Sequence, residues 1–139
     1  MKTSIIFRIT GIALFIQLAL GGLLTFGFVD PLAHIVWGAV VGILALVTLA
    51  FVIRLKPRPR PLTGLSVGLV LLLVLQVVLG FYTLDTGDQA VAWVHFINSL
   101  AIYGMGVAGT FMALGIDKMV PPGSSPPERG EADRSGPAH

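Results

Sequence analysis

Two histidines offer the clearest chemistry in this chain of 139 residues. His34 lies in PLAHIVWGAV and His95 in VAWVHFINSL, each a short way into a long apolar run, and His139 at the chain end is the only other histidine. An ionisable side chain inside such a run marks a functional site by default. The chain has no cysteine, which excludes disulfides, thiolate metal sites and cysteine nucleophiles.

The composition is that of an integral membrane protein. Hydrophobic residues make up 55% and charged residues 12% of the chain, and the mean hydropathy is +0.88. A soluble domain carries about twice that charged fraction. Four runs reach the length of about 20 residues that a membrane helix needs, over 5–28, 33–53, 62–84 and 90–116. The sequence therefore predicts an all-α integral membrane bundle of four helices within residues 1–120.

The charged residues predict how the bundle is oriented. Short connections favour an up-down-up-down arrangement. The basic loop RLKPRPRP joins the second and third runs. The charged residues of the other two loops are all acidic: Asp30, Asp85 and Asp88. Lys2, Arg8 and Lys118 fall on the same side as the basic loop. The positive-inside rule then predicts a multi-pass protein of the cell membrane with both termini in the cytoplasm. Binding of lipid headgroups or of a partner is the alternative role for this loop.

The segment after the fourth run differs in composition from the rest of the chain. Residues 121–139, PPGSSPPERGEADRSGPAH, are rich in Pro, Gly, Ser and charge. Such a segment cannot bury enough apolar surface to fold alone, so we predict a disordered cytoplasmic tail.

The expected surrounding of the protein is the lipid bilayer. Because no soluble segment combines a basic face with aromatic side chains, we expect no nucleic-acid partner.

The two halves of the predicted bundle resemble each other. QLALG runs from Gln17 to Gly21 and QVVLG from Gln76 to Gly80, and each is followed by an acidic loop and a helix that begins near a histidine. The two glutamines are 59 residues apart and the two histidines 61. This agreement predicts two duplicated helical hairpins, which in membrane proteins place sites at the repeat interface. Each glutamine is expected either to hydrogen-bond between helices or to contact a cofactor.

The histidines are expected to lie at similar depth near the outer face, because the second and fourth helices run in the same direction. Two neutral imidazoles can ligate one iron from opposite faces of a porphyrin. We therefore predict one heme b per chain, with His34 and His95 as the metal ligands. Gly38 and Ser99, each four residues after a histidine, would let a flat macrocycle approach, and Trp37 would line its edge.

Other uses of the two histidines stay open at this stage. A chlorophyll-type pigment also takes an axial imidazole, and hydrogen bonding at the membrane interface needs no cofactor. A closed zinc site wants four ligands, so two imidazoles without further donors make a poor one. Two imidazoles also provide too few ligands for a copper site.

This combination of motifs resembles one half of a heme A synthase, the membrane enzyme that oxidises a methyl group of heme O to a formyl group. The family usually has eight helices in two halves, each binding heme through a histidine pair on its second and fourth helices. The resemblance covers residues 5–116 and implies that His34 and His95 are such a pair. The glutamate typical of the catalytic half, three residues before the first histidine, is replaced by Pro31, the arginine after that histidine by Ile35, and the outer-loop cysteine pair is absent.

These departures favour an electron carrier over an enzyme. The leading expectation is a b-type cytochrome subunit that works with other membrane subunits of a respiratory or other redox complex, or as a homodimer. The alternatives are a compact heme A synthase, in which Asp30 replaces the missing glutamate, and a structural or assembly subunit without a cofactor.

Overall fold

The computed structural model describes residues 2–119, which form four helices and no strand. The helices are α1 (Thr3–Thr25), α2 (Pro31–Arg54), α3 (Arg60–Thr86) and α4 (Gln89–Met119). Each is long and apolar enough to cross a membrane. The predicted all-α fold of four membrane helices is therefore confirmed. The predicted tail, 121–139, lies outside the described residues.

The first helix ends three residues earlier than the hydropathy predicts. Gly27 has a φ of 74°, a left-handed conformation that glycine adopts without steric cost. Its N–H donates to the carbonyl oxygen of Leu24 at 3.0 Å, and the N–H of Phe28 donates to that of Leu23 at 2.9 Å. This pair of bonds is the Schellman arrangement that closes a helix C-terminus. The chain therefore turns at Thr25, although the residues that follow are apolar.

An aspartate begins each of the two helices that carry a histidine. Asp30 accepts a hydrogen bond from the backbone N–H of Leu32 at 2.7 Å, and Pro31 occupies the first position of α2. Asp88 accepts from the N–H of Ala90 at 2.8 Å at the start of α4. A carboxylate at this position satisfies N–H groups that have no partner within the helix, and proline suits the position that follows.

The four helices form a square bundle. α1 packs against α2 and α4, and α3 packs against the same two helices. Over residues 2–119 the diagonal pairs, α1 with α3 and α2 with α4, make no close backbone contact. Asp117, near the end of α4, accepts from the N–H groups of Thr3 and Ser4 at 3.0 and 2.9 Å. The start of α1 thus lies at the end of α4, as an up-down-up-down arrangement requires.

The bundle buries few of its large apolar side chains and exposes many of them. Phe7, Leu62 and Leu69 are fully buried, yet Phe111 is 69% exposed and Leu71 64%. A soluble bundle would cover this outer surface with polar groups. An apolar exterior suits lipid, where helices associate through close packing and not through the exclusion of water.

Glycines on α4 let it approach α1 closely. A Cβ at Gly106 would lie 2.7 Å from a methyl carbon of Leu14, and a Cβ at Gly109 would collide with the ring of Phe7. Gly104, on the same helix, faces open space. Packing of α4 on α1 thus accounts for two of these three glycines.

Candidate cofactor site

The imidazoles of His34 and His95 meet across the diagonal of the bundle. Their ring centres are 6.4 Å apart and their planes are inclined by 64°. α2 and α4 do not touch through their backbones, so each ring crosses the bundle interior from its own helix. Both histidines lie in the first two turns of helices that start at the same end, which is the matched depth expected from the sequence.

In the first hairpin, Gln17 of α1 holds His34 of α2. The Nε2 atom of Gln17 lies 3.1 Å from Nε2 and 3.3 Å from Nδ1 of the imidazole, and it donates to the carbonyl oxygen of His34 at 3.2 Å. Two glycines make room for this contact. A Cβ at Gly21 would lie 3.1 Å from Cε1 of His34, and one at Gly38 would lie 3.1 Å from Nε2 of Gln17. A side chain at either position would require the imidazole or the amide to shift by a few tenths of an ångström.

In the second hairpin, Gln76 of α3 holds His95 of α4 in the same way. The Nε2 atoms of the two side chains are 3.1 Å apart. A Cβ at Gly80 would lie 3.0 Å from Cε1 of His95, matching the contact of Gly21 with His34. The glutamine, the glycine and the histidine of each hairpin thus form the same three-residue contact, and the predicted duplication is visible in the side chains.

A further pair of corresponding bonds joins the helices one turn deeper. Trp37 lies three residues after His34, and its Nε1–H donates to the carbonyl oxygen of Ala13 at 2.9 Å. Asn98 lies three residues after His95, and its Nδ2–H donates to the carbonyl oxygen of Leu72 at 3.0 Å. Ala13 and Leu72 each precede their glutamine by four residues. The same bond is therefore made twice, by an indole in one half and by an amide in the other.

Asn98 was not singled out in the sequence, yet it fixes the orientation of Gln76. The carbonyl oxygen of Leu72 only accepts, so the atom of Asn98 that faces it is Nδ2. This same Nδ2 lies 2.6 Å from Oε1 of Gln76 and donates to it. The other end of the Gln76 amide, its N–H, consequently points at His95 and donates to Nε2 of the ring.

Two polar atoms of the site are buried without a hydrogen-bond partner among the described residues. They are Nδ1 of His95 and Oε1 of Gln17. Nearly all buried polar atoms in proteins are hydrogen-bonded, so an exception marks a place where a ligand, water or ion belongs. One exception belongs to the glutamine of the first hairpin and the other to the histidine of the second.

The donor set fits heme better than a bare metal ion. Among the described residues, no group of three or more His, Asp, Glu or Cys side chains could hold a metal ion. A porphyrin supplies four nitrogens of its own and asks the protein only for axial ligands. Two imidazoles that share one metal have ring centres roughly 6 Å apart, taking about 2 Å per metal–nitrogen bond and about 1 Å from each nitrogen to its ring centre. The ring centres are 6.4 Å apart in the structure, and Nε2 of each ring faces its glutamine.

The remaining residues proposed from the sequence have local partners. The hydroxyl of Ser99 donates to the carbonyl oxygen of Phe96 in its own helix. Asp30 caps α2, which gives the carboxylate nearest to His34 in sequence a structural role. Contact of Ser99 or Trp37 with a cofactor stays a prediction.

Comparisons with protein-family models, with curated proteins and with solved structures found no match for this chain.

Proposed function

We propose that this protein is a membrane b-type cytochrome in which His34 and His95 are the axial ligands of one heme. The observation that carries the proposal is the pair of imidazoles, 6.4 Å between ring centres, reached from two helices that do not otherwise touch. Each imidazole is backed by a glutamine and a glycine of the neighbouring helix. Two such contacts at matched depth are expected of a site for one ligand with two axial positions.

The chain would contribute orientation, burial and two neutral nitrogen ligands. When bound, the heme would supply reversible one-electron chemistry, with a potential set by its axial ligands and by the surrounding hydrogen bonds and burial. Gln17 and Gln76 position the rings, since each donates an N–H toward its imidazole. His34 and His95 would hold the heme through the ring nitrogens that face these glutamines in the structure. The hydrogen bond that each ring would give up is worth only about 1 kcal/mol.

Electron transfer is favoured over heme oxidation because a free carboxylate is missing at the first histidine. The enzymatic alternative needs Asp30 to act in place of a glutamate. In the structure Oδ1 of Asp30 accepts from the backbone N–H of Leu32 at 2.7 Å and begins the helix. An acid committed to a helix cap is a poor substitute for a catalytic one.

The donor and the acceptor of electrons would be other molecules. The chain has no cysteine, and residues 2–119 offer no cluster that could hold a metal ion. We therefore place the protein beside other membrane subunits of a redox complex, or in a homodimer. By the positive-inside rule, the basic residues at the end of the bundle opposite the histidines would face the cytoplasm, and the heme would lie near the outer face of the cell membrane.

The test is the reduced-minus-oxidised absorption spectrum of the purified full chain, with a pyridine hemochrome assay of the same sample. We expect a sharp low-spin b-type signal at about one heme per chain. His34→Ala and His95→Ala should each lose heme or change its spin state, and His139→Ala serves as the matched histidine control. A His95→Ala protein with full heme content and an unchanged low-spin spectrum would refute the proposal. A chlorophyll spectrum would replace heme by a pigment, and a colourless protein from heme-sufficient cells would favour a structural subunit.

A further inference from the structure

The two glutamines of the site differ in the hydrogen bonds that remain to them when their histidine binds a metal. Gln17 donates to the carbonyl oxygen of His34 at 3.2 Å as well as to its ring. If the ring takes a metal, Nε2 of Gln17 loses one of its two acceptors and keeps the carbonyl oxygen. Ligation by His34 therefore leaves the amide nitrogen of Gln17 with a hydrogen-bond partner.

Gln76 has no such second acceptor. Within the described residues its Nε2 bonds only to Nε2 of His95, at 3.1 Å. It cannot turn its amide around, because Oε1 accepts from Asn98 at 2.6 Å and Asn98 is itself fixed by the carbonyl oxygen of Leu72. Ligation by His95 would therefore leave a half-buried N–H without a partner. Leaving a buried donor unpaired costs more than an ordinary hydrogen bond contributes.

The difference between the hairpins comes from one position. Asn98 and Trp37 occupy corresponding places and donate to corresponding carbonyl oxygens, those of Leu72 and Ala13. Only the amide of Asn98 has a second hydrogen, and that hydrogen fixes the glutamine. In the first hairpin Oε1 of Gln17 is buried and has no partner in the described part of the chain.

We infer that the two axial positions are inequivalent. His34 is the permanent ligand, and His95 is an exchangeable one. Gln76, which Asn98 positions, competes with the iron for the lone pair of His95. A small neutral ligand of ferrous heme, such as carbon monoxide or an added imidazole, would then enter on the His95 side. His95 would return to Gln76 as it leaves the iron. This inference rests on the proposed function, and it adds a ligand-entry position that the sequence motif does not contain.

The first experiment removes each ligand in turn from the full chain in detergent. His95→Gly is expected to retain heme, to become high-spin, and to regain a low-spin spectrum when imidazole is added. His34→Gly is expected to retain about tenfold less heme, which corresponds to the free energy of one unpaired buried donor. Equal heme contents in the two variants, or better retention by His34→Gly, would overturn the inference.

The second experiment keeps both ligands and removes the competitor. Gln76→Met preserves the length of the side chain but has no N–H, so His95 should hold the iron more firmly. The apparent affinity of the reduced protein for carbon monoxide should fall about tenfold. Gln17→Met is the matched comparison and should change that affinity less, because His34 is not the ligand that leaves. Asn98→Leu should act in the direction of Gln76→Met, and Thr48→Val, which removes a buried hydroxyl in the other half of the bundle, controls for general loosening.

The two proposals fail in different ways. A colourless wild-type protein would remove the proposed function and this inference with it. A wild-type b-type spectrum together with equal responses of Gln76→Met and Gln17→Met to carbon monoxide would leave the cytochrome standing and refute the inequivalence. The same holds if carbon monoxide binding is unaffected by Gln76→Met.

Discussion

Substitution of Gly80 by alanine tests whether the glycine of each repeat provides space for the histidine ring. A Cβ at Gly80 would lie 3.0 Å from Cε1 of His95. This is too short, because ordinary contact between two carbon atoms begins at about 3.5 Å. The ring must therefore move away from α3 by a few tenths of an ångström. The Gln76–His95 bond, 3.1 Å in the structure, would then lengthen toward the limit of about 3.5 Å for a side-chain hydrogen bond.

Two opposing terms set the size of the effect. Glycine to alanine in a helix interior gains about 1 kcal/mol from propensity alone. Loss of the Gln76–His95 bond leaves a buried N–H unpaired, which costs about 1–3 kcal/mol. Gly22 supplies the control, because a Cβ there meets nothing within 4 Å. We expect Gly80→Ala to be less stable than Gly22→Ala by about 1–3 kcal/mol, and Gly21→Ala to behave like Gly80→Ala.

The assay is thermal unfolding of each purified variant in the same detergent, followed by helical circular dichroism, with the heme content measured in parallel. Gly22→Ala should match or exceed the wild type in its unfolding midpoint, and Gly80→Ala should fall below Gly22→Ala. Equal midpoints for Gly80→Ala and Gly22→Ala would show that the ring does not depend on the missing Cβ. The assignment of these glycines to the histidine site would then be wrong, whatever cofactor the site holds.

Three further substitutions test the supports of the bundle. Asp117→Ala should lower stability by about 1–2 kcal/mol, since it removes the two oxygens that accept from the N–H groups at the start of α1. Asp117→Asn should recover part of that loss in the same unfolding assay. Asp30→Ala should cost about 1 kcal/mol through the lost helix cap and leave heme content unchanged; heme loss in that variant would indicate a role at the site. Gly109→Ala should cost about 1–3 kcal/mol by overpacking against Phe7, with Gly104→Ala as its neutral counterpart, and equal stabilities would contradict the close packing of α1 on α4.

The elements of this fold were predictable because their signal is long. Four apolar runs of more than twenty residues cannot all be buried in a chain of this size, so they specify membrane helices almost without reference to tertiary structure. The end of α1 was misplaced because hydropathy does not register a turn. The glycine at position 27 closes the helix through its backbone, while the phenylalanines on either side continue the apolar run.

The partners of the histidines were only partly predictable. The glutamines were found because each recurs at a spacing close to that of the histidines, so duplication amplified a weak signal. Gly21 and Gly80 lie in the same motif, but the sequence alone could not distinguish packing between helices from clearance for an imidazole. Asn98 gave no repeated signal at all, since its counterpart in the first half is Trp37.

The divergence at that one position shows how a duplicated hairpin can acquire two different sites. Both halves keep the glutamine, the glycine and the histidine, and both keep a side-chain N–H on the same backbone carbonyl. An indole has a single hydrogen and is consumed by that carbonyl, whereas an amide has two and passes the second to the glutamine. The repeat therefore keeps the positions of the two histidines, and, if they hold a heme as proposed, the residue one turn below each histidine would determine how freely that histidine can be released.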